Sequence, residues 1–409
     1  MKGLTVAVFG LCVALAASRF TYNGYQIVVI ETNEEQAKLL HENWELDYVT
    51  PLPKYGGITK VIVKPEEQVE FYQFLEREQI KFTVTVDDLE RHFEEERLEL
   101  EKNSRDSDRS ISFTKYHRYA EINRYLRSLA SEHPNLVSLQ TIGQSYEGRN
   151  LTVIKISSGG SANKPVILVD AGIHAREWIA PATALYIINQ LVENSANRHL
   201  IQNVDWYILP VLNPDGYEYT HTNTRLWRKT RCAGRRCYGT DGNRNFDFHW
   251  GVTGASSSEC SETYRGPSAF SEIELQGFRN FARANANRIK LYLTLHSYGN
   301  YILYPWGYTS ALPSDSAELQ ALGDSVASRI RTYSGSRFTV GSSTNVLYAA
   351  AGGSDDWMKG VNGVELSYTL ELQGDRSGFE LPASRILSSV RETFVGIRVF
   401  HDYVEEKFA

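Results

Sequence analysis

The sequence predicts an α/β fold, a mixed β-sheet flanked by helices on both faces, preceded by a small α+β antiparallel sandwich. Three observations predict it. From about residue 110 onward, short apolar runs alternate with amphipathic segments of helical period. Residues 20 to 85 carry a separate β-α-β-α-β pattern. Between the two, the chain turns polar and charged and loses its core residues.

In the N-terminal unit, Tyr25 to Ile30, Ile58 to Val63 and Phe82 to Val86 read as strands, rich in β-branched and aromatic residues. Glu34 to Glu42 and Glu66 to Glu78 read as helices, and that order suits two helices on one face of an antiparallel sheet. The charged stretch Asp87 to Lys102 reads as helical from Leu89. It ends in Asn103-Ser104-Arg105-Asp106-Ser107-Asp108-Arg109, a polar tip of the kind proteases nick. An activation linker cut after Arg105 or Arg109 is the functional reading, and an ordinary domain linker the alternative.

In the larger unit the strand expectations are Leu151 to Ile156, Val166 to Val169, Trp206 to Val211, Leu291 to Leu295 and Ser367 to Leu372. The helix expectations are Tyr116 to Glu132, Pro181 to Leu191, Glu272 to Asn285, Ser316 to Thr332 and Ala383 to Val404. Sheets of this class carry their active-site loops at strand ends. His174, Asn213, His296 and Glu371 all fall at or just past such ends.

Composition narrows the function. The chain is globular in make-up, 42% hydrophobic and 22% charged, with a net charge of −6 and no basic block or glycine-rich phosphate loop. Nucleic acid is therefore not an expected partner. Lys2, the apolar run Leu4 to Ala14 and the small residues Ala14, Ala16, Ala17 and Ser18 read as a signal peptide over residues 1–18. That run is too short to cross a bilayer and no later one is long enough, so an exported, soluble protein with no membrane partner is expected. Cys12 lies in the signal, leaving three cysteines. Cys237 with Cys260 is the favoured disulfide, closing a moderate loop and leaving Cys232 over. Asn150-Leu151-Thr152 fits the glycosylation acceptor pattern.

The most informative stretch is His174-Ala175-Arg176-Glu177-Trp178, which follows the apolar run Pro165 to Val169. A His and a Glu three apart, with one distant His, would make a His2Glu zinc site with an open fourth position. His296, ending Leu291-Tyr292-Leu293-Thr294-Leu295, is the natural third donor. Glu371 sits inside the apolar run Tyr368-Thr369-Leu370-Glu371-Leu372, where a carboxylate is costly unless paired or functional. With a raised pKa beside zinc, it could move a proton from water to a leaving amine. Arg225, Arg228 and Arg231 follow, then Asn243, Arg244 and Asn245. Arginine suits carboxylate clamping and oxyanion stabilisation.

At these residues the chain resembles the digestive zinc metallocarboxypeptidases, carboxypeptidases A and B. The resemblance covers most of 110–409. It runs through Ser145-Tyr146-Glu147-Gly148-Arg149, His174 to Trp178, Asn213-Pro214-Asp215-Gly216, Arg225 to Arg231 and Asp241-Gly242-Asn243-Arg244-Asn245. It continues through Ser261-Glu262-Thr263-Tyr264, His296-Ser297-Tyr298, Gly352 to Trp357 and Leu381-Pro382-Ala383-Ser384. Residues 19–109 resemble the family's inhibitory pro-region more loosely.

The resemblance implies a zinc-carboxypeptidase-like fold and one zinc ion per chain, held by His174, Glu177 and His296. It makes Glu371 the general base and then acid, and Arg228 the stabiliser of the oxyanion. Asn243, Arg244 and Tyr348 would receive the substrate's terminal carboxylate. Arg176, Ser297 and Tyr298 would line the peptide path, and Asp241 would hold the ring of His174. It also implies a monomeric secreted precursor that acts on peptide or protein C-termini, in an extracellular space such as the gut lumen. Its activator would be a trypsin-like protease.

Asp355, in Gly352-Gly353-Ser354-Asp355-Asp356-Trp357, matches the B-type sequence, where an Asp forms the floor of the side-chain pocket. A desolvated carboxylate there pairs with Lys or Arg and rejects apolar side chains. Asp356 reads as structural. Ser343 stands where B-type enzymes commonly have Gly. Removal of C-terminal Lys or Arg is therefore expected. A-type preference for apolar residues, or a non-catalytic peptide-binding homologue, are the alternatives.

Overall fold

Two β-sheets organise the chain. The computed structural model describes residues 20–49, 52, 55–103, 111–374 and 378–409. The expected signal over 1–18, and Arg105 and Arg109 of the expected linker, lie outside the described residues.

The first sheet is built from β1 (Gln26–Asn33), α1 (Glu34–Asn43), β2 (Asp47–Tyr48), β3 (Gly56–Val63), α2 (Gln68–Arg77) and β4 (Lys81–Val86). Its strands lie in the order β2-β3-β1-β4, all antiparallel. Asn33 and Gln36 close a reciprocal capping box that starts α1 directly at the end of β1. Strand alternation gives the sheet two faces. Val28, Ile30, Val61 and Val63 pack beneath Leu40 of α1 and Phe71, Phe74 and Leu75 of α2. Ile27 and Ile62 point the other way, onto Leu89 and Phe93 of α3 (Leu89–Asn103) and onto Leu226, Tyr298 and Phe379 of the larger unit. One face makes the unit's own core, and the other docks it.

The larger unit runs α4 (Tyr119–Glu132), β5 (Val137–Gln144), β6 (Asn150–Ile156), β7 (Val166–Ala171), α5 (Ile179–Val192), β8 (Asp205–Leu209) and α6 (Pro214–Thr222). It continues α7 (Ile273–Ala284), β9 (Ile289–Ser297), β10 (Tyr301–Tyr304), α8 (Ser316–Ser334), β11 (Thr339–Ser342), α9 (Ser343–Val346), α10 (Ser354–Gly360), β12 (Leu366–Leu372) and α11 (Ala383–Phe408). The sheet order is β11-β10-β12-β9-β7-β8-β6-β5. The four central strands, β12, β9, β7 and β8, are parallel, and antiparallel pairings flank them.

The central strands read as continuous apolar runs because both their faces are covered. Ile167 and Val169 share a core with α4, α5, α8 and α11, while Val166 and Leu168 face α7 and α10. Each fully buried Ile or Leu in these layers contributes about 1.5–3 kcal/mol. The parallel arrangement brings the C-terminal ends of β7, β8, β9 and β12 to one edge, where such folds bind their ligands. Cys237 and Cys260 are joined by a disulfide, with Cα atoms 5.1 Å apart, and Cys232 is a free thiol. Among the described residues no helix is long and apolar enough to cross a membrane.

Candidate active site

Strand register assembles the site. His296 on β9 pairs with Glu371 on β12, and Leu295 pairs with Ala171, the last residue of β7. The chain turns sharply after Ala171 at Gly172, which has φ +66°; a Cβ there would meet Pro181 Cγ at 3.1 Å. Two residues on, His174 reaches the edge beside His296.

His174, Glu177 and His296 are buried, and one ligand atom from each lies within 4.8 Å of the others. His174 Nδ1 is 2.8 Å from Glu177 Oε1 and 3.1 Å from His296 Nδ1, which is 3.1 Å from Glu177 Oε2. Two imidazole nitrogens and a carboxylate converging in a buried pocket are the donor set of a catalytic zinc site. Burial opposes ionisation of Glu177, but the two imidazoles outweigh it and hold the carboxyl well below the usual range.

Asp241, fully buried, ties two groups together. Its Oδ1 lies 3.0 Å from His174 Nε2 and accepts from Asn243 N at 2.9 Å. Its Oδ2 accepts from Arg228 Nε at 3.2 Å and Nη2 at 2.9 Å. The His174 tautomer with Nε2–H is the one that fits this contact, and it turns the Nδ1 lone pair toward Glu177 and His296. Arg228 Nη1 lies 4.0 Å from Glu177 Oε1 and has no hydrogen bond among the described residues.

The three arginines grouped in sequence part company in space. Only Arg228 lines the cleft. Arg225 pairs with Glu96 at 2.7 Å and lies 3.5 Å over the Trp178 ring. Arg231 is enclosed by the rings of Tyr219, Trp227 and Tyr238. Asn213 is a brace: it accepts from Gly216 N to start α6, and donates to Ile173 O and Lys229 O, beside His174 and Arg228.

A cavity of about 640 Å³ opens over the site. Arg176, Arg228, Asn243, Arg244, Ser297, Tyr298, Tyr348, Asp355 and Glu371 all line it, as does Ser343, whose hydroxyl donates to Tyr304 O at 3.3 Å. Burial pushes the Glu371 carboxyl up to about 7; His296 and Arg228 oppose the shift and Glu177 adds to it. Arg244 donates from Nε to Gly254 O at 2.8 Å and from Nη1 to Asn243 O at 2.9 Å, while Asn243 Oδ1 accepts from Ser354 N at 3.0 Å. Gly352, at φ +82°, lets the segment before α10 touch this turn, since a Cβ would come within 2.5 Å of Arg244 O.

Asp355, 6% exposed, accepts from Thr369 Oγ1 at 3.1 Å and from Asp356 N at 2.9 Å, and burial raises its pKa. Asp356 accepts from the backbone N–H groups of Gly307 and Tyr308. The hydroxyls of Ser297, Tyr298 and Tyr348 are buried with no hydrogen-bond partner among the described residues. Such groups ask for a polar partner, and a peptide in the cavity would supply one.

Sequence reasoning missed how the N-terminal unit enters the site. Asp47 accepts from Arg176 Nη1 at 2.7 Å, and Tyr48 O accepts from Nη2 at 3.3 Å. His41 stacks on Tyr348 with ring centroids 4.3 Å apart. Tyr22 Oη accepts from Leu226 N at 3.0 Å. Asp47 and Tyr48 form a strand of only two residues, too short to announce which side chains meet the larger unit.

Comparison with known proteins fits this geometry. The zinc carboxypeptidase family pattern matches residues 122–396. The chain belongs to the zinc carboxypeptidase family. Its N-terminal unit matches the carboxypeptidase activation peptide over residues 27–96, which makes the chain a procarboxypeptidase and its activity that of a zinc-dependent exopeptidase. It is 47% identical over 304 residues to a carboxypeptidase B of Astacus astacus, covering 73% of this chain and all of that one. It is 39% identical over 416 residues to a carboxypeptidase B of Helicoverpa zea, covering 96% of each. The crystal structure of a carboxypeptidase A from Helicoverpa armigera superposes with a TM-score of 0.90 at 35% identity, covering 95% of this chain and 99% of that one. Names of both types occur among these relatives, so side-chain preference has to be argued from the pocket.

Proposed function

We propose that this procarboxypeptidase removes C-terminal Lys or Arg once an exported precursor has been cut by a trypsin-like protease after Arg105 or Arg109. The proposed organisation is a signal over 1–18, an inhibitory pro-unit with its linker over 19–109, and a catalytic unit over 110–409. The observation that carries the preference is Asp355, a buried carboxylate in the wall of the cavity that also holds Glu371 and Arg244.

His174, Glu177 and His296 would hold the zinc. A zinc ion held there would supply Lewis-acid chemistry, polarising the scissile carbonyl and making a water more acidic. The other steps belong to side chains. Arg244, Asn243 and Tyr348 anchor the terminal carboxylate, which fixes the last peptide bond over the reacting groups and excludes internal bonds. Glu371 takes the proton of the attacking water and delivers it to the leaving nitrogen as the C–N bond breaks. Arg228, steadied by Asp241, donates from Nη1 to the carbonyl oxygen as that oxygen gains charge. Arg176, Ser297 and Tyr298 position the chain upstream. Asp355 pairs with the cation of the departing residue.

The test is a panel of peptides ending in Arg, Lys, Phe and Leu, assayed before and after limited trypsin treatment. Arg and Lys peptides are expected to be cleaved faster, and only after treatment. Faster cleavage of the Phe and Leu peptides would establish the A-type alternative, and equal activity before and after would remove the inhibitory role of the pro-unit. Asp47 offers a second check. Arg176 is 2% exposed and Asp47 half-buried, and a hydrogen bond to a charged group contributes about 1.5–3 kcal/mol. Asp47→Ala is therefore expected to loosen the pro-unit and raise the activity of the uncut precursor at least about tenfold. An uncut D47A precursor as silent as the wild type would show that this pair does not hold the pro-unit down.

A further inference from the structure

The two proposed histidine ligands are secured differently. His174 Nε2 rests directly on Asp241. Among the described residues the matching atom of His296 meets no carboxylate. Thr294 and His296, two apart on β9, face the same side of the strand. Thr294 Oγ1 lies 3.2 Å from His296 Nε2 and 2.9 Å from Asp170 Oδ1. Asp170, on β7, is the register partner of Thr294, and its other oxygen accepts from Tyr292 Oη. Asp170, Thr294 and Tyr292 are 0% exposed.

The donors and acceptors in this chain can be counted. A carboxylate only accepts, so the single hydroxyl proton of Thr294 goes to Asp170. The Thr294 oxygen is then left as an acceptor, and the hydrogen bond to His296 needs Nε2–H. That tautomer leaves the Nδ1 lone pair facing His174 Nδ1 and Glu177 Oε2, each 3.1 Å away. We propose that Asp170 and Thr294 form a buried relay that positions His296 as a metal ligand, fixing its tautomer and the plane of its ring. The proposal rests on the reading of His296 as a zinc ligand. Asp170 and Thr294 are positioning residues: neither touches the space where substrate or metal would lie. Asp170 does through a hydroxyl for one imidazole what Asp241 does directly for the other, and such supports typically change metal affinity 10–100-fold when lost.

The test uses the full-length precursor and measures zinc affinity by competition with a chromogenic chelator. Thr294→Val keeps the β-branched shape and removes the hydroxyl. It is expected to weaken zinc binding about 10–100-fold, while Thr294→Ser restores affinity to within about threefold of wild type. Asp170→Asn is expected to fall on the Thr294→Val side. Wild-type zinc affinity in T294V would overturn the relay. His296→Ala separates the two levels: if H296A keeps its zinc affinity, the ligand assignment fails, whereas loss in H296A with retention in T294V removes the relay alone.

Discussion

Glu371→Gln is expected to lower kcat on a peptide ending in Arg by roughly 10²–10⁴-fold, the usual contribution of a positioned general acid–base group, while leaving the zinc content unchanged. Gln keeps the size and the hydrogen-bonding reach of Glu, so the pocket should not rearrange, but it cannot accept the proton of the attacking water. Burial raises the carboxyl to about 7, which matches a group that must take a proton and return it near neutral pH. Its place also separates it from the metal set: it pairs in register with His296 but is not one of the three converging donors. Steady-state kinetics after trypsin treatment, together with metal analysis of the same sample, checks both parts. A kcat within about threefold of wild type would remove Glu371 from the chemistry. Loss of zinc along with activity would make it a ligand instead.

What the sequence made legible follows from where physical constraint is written locally. β7, β9 and β12 are buried on both faces, so they are mostly apolar, and an imidazole or carboxylate in or just past them stands out: His174, His296 and Glu371 are legible that way. β5, at the sheet's edge and half polar, and the four-residue strands β10 and β11 carry too little pattern to be anticipated. The family resemblance singled out Arg228 within its segment, a choice that residue type alone does not make. Arg228 and Arg231 look alike in sequence, yet one lines the cleft while the other is enclosed by aromatic rings. Asn213 stands in one of the segments that carry the resemblance, and its hydrogen bonds tie two loops together. The contacts of Asp47 and the link from Asp170 to His296 were out of reach for another reason. Each depends on which strand lies beside which, and sheet order is set by the packing of the whole chain.

Specificity should yield to one substitution remote in sequence from the metal motif. Asp355→Ala is expected to lower kcat/KM for peptides ending in Arg or Lys by about 30- to 4,000-fold. That range is the cost of about 2–5 kcal/mol for truncating one partner of a buried charge pair, taken at tenfold per 1.4 kcal/mol. Peptides ending in Phe or Leu should be little affected or improved, because the proposed anchor of their terminal carboxylate, Arg244 with Asn243, is untouched. Stability supplies the control. Burial raises the pKa of Asp355 in the folded chain, so above that pKa its ionisation works against folding, and the cost is present at neutral pH. Removing the carboxylate is therefore expected to leave the melting temperature at pH 7 unchanged or higher. Of the two donors it leaves, Thr369 Oγ1 lies at the cavity wall and can turn toward water, while the buried Asp356 N faces the space that the carboxylate vacates. A loss on all four peptides together, with a lower melting temperature, would mean that Asp355 props up the pocket. A selective loss on the basic pair, in a protein as stable as the parent, is the result that assigns it to substrate recognition.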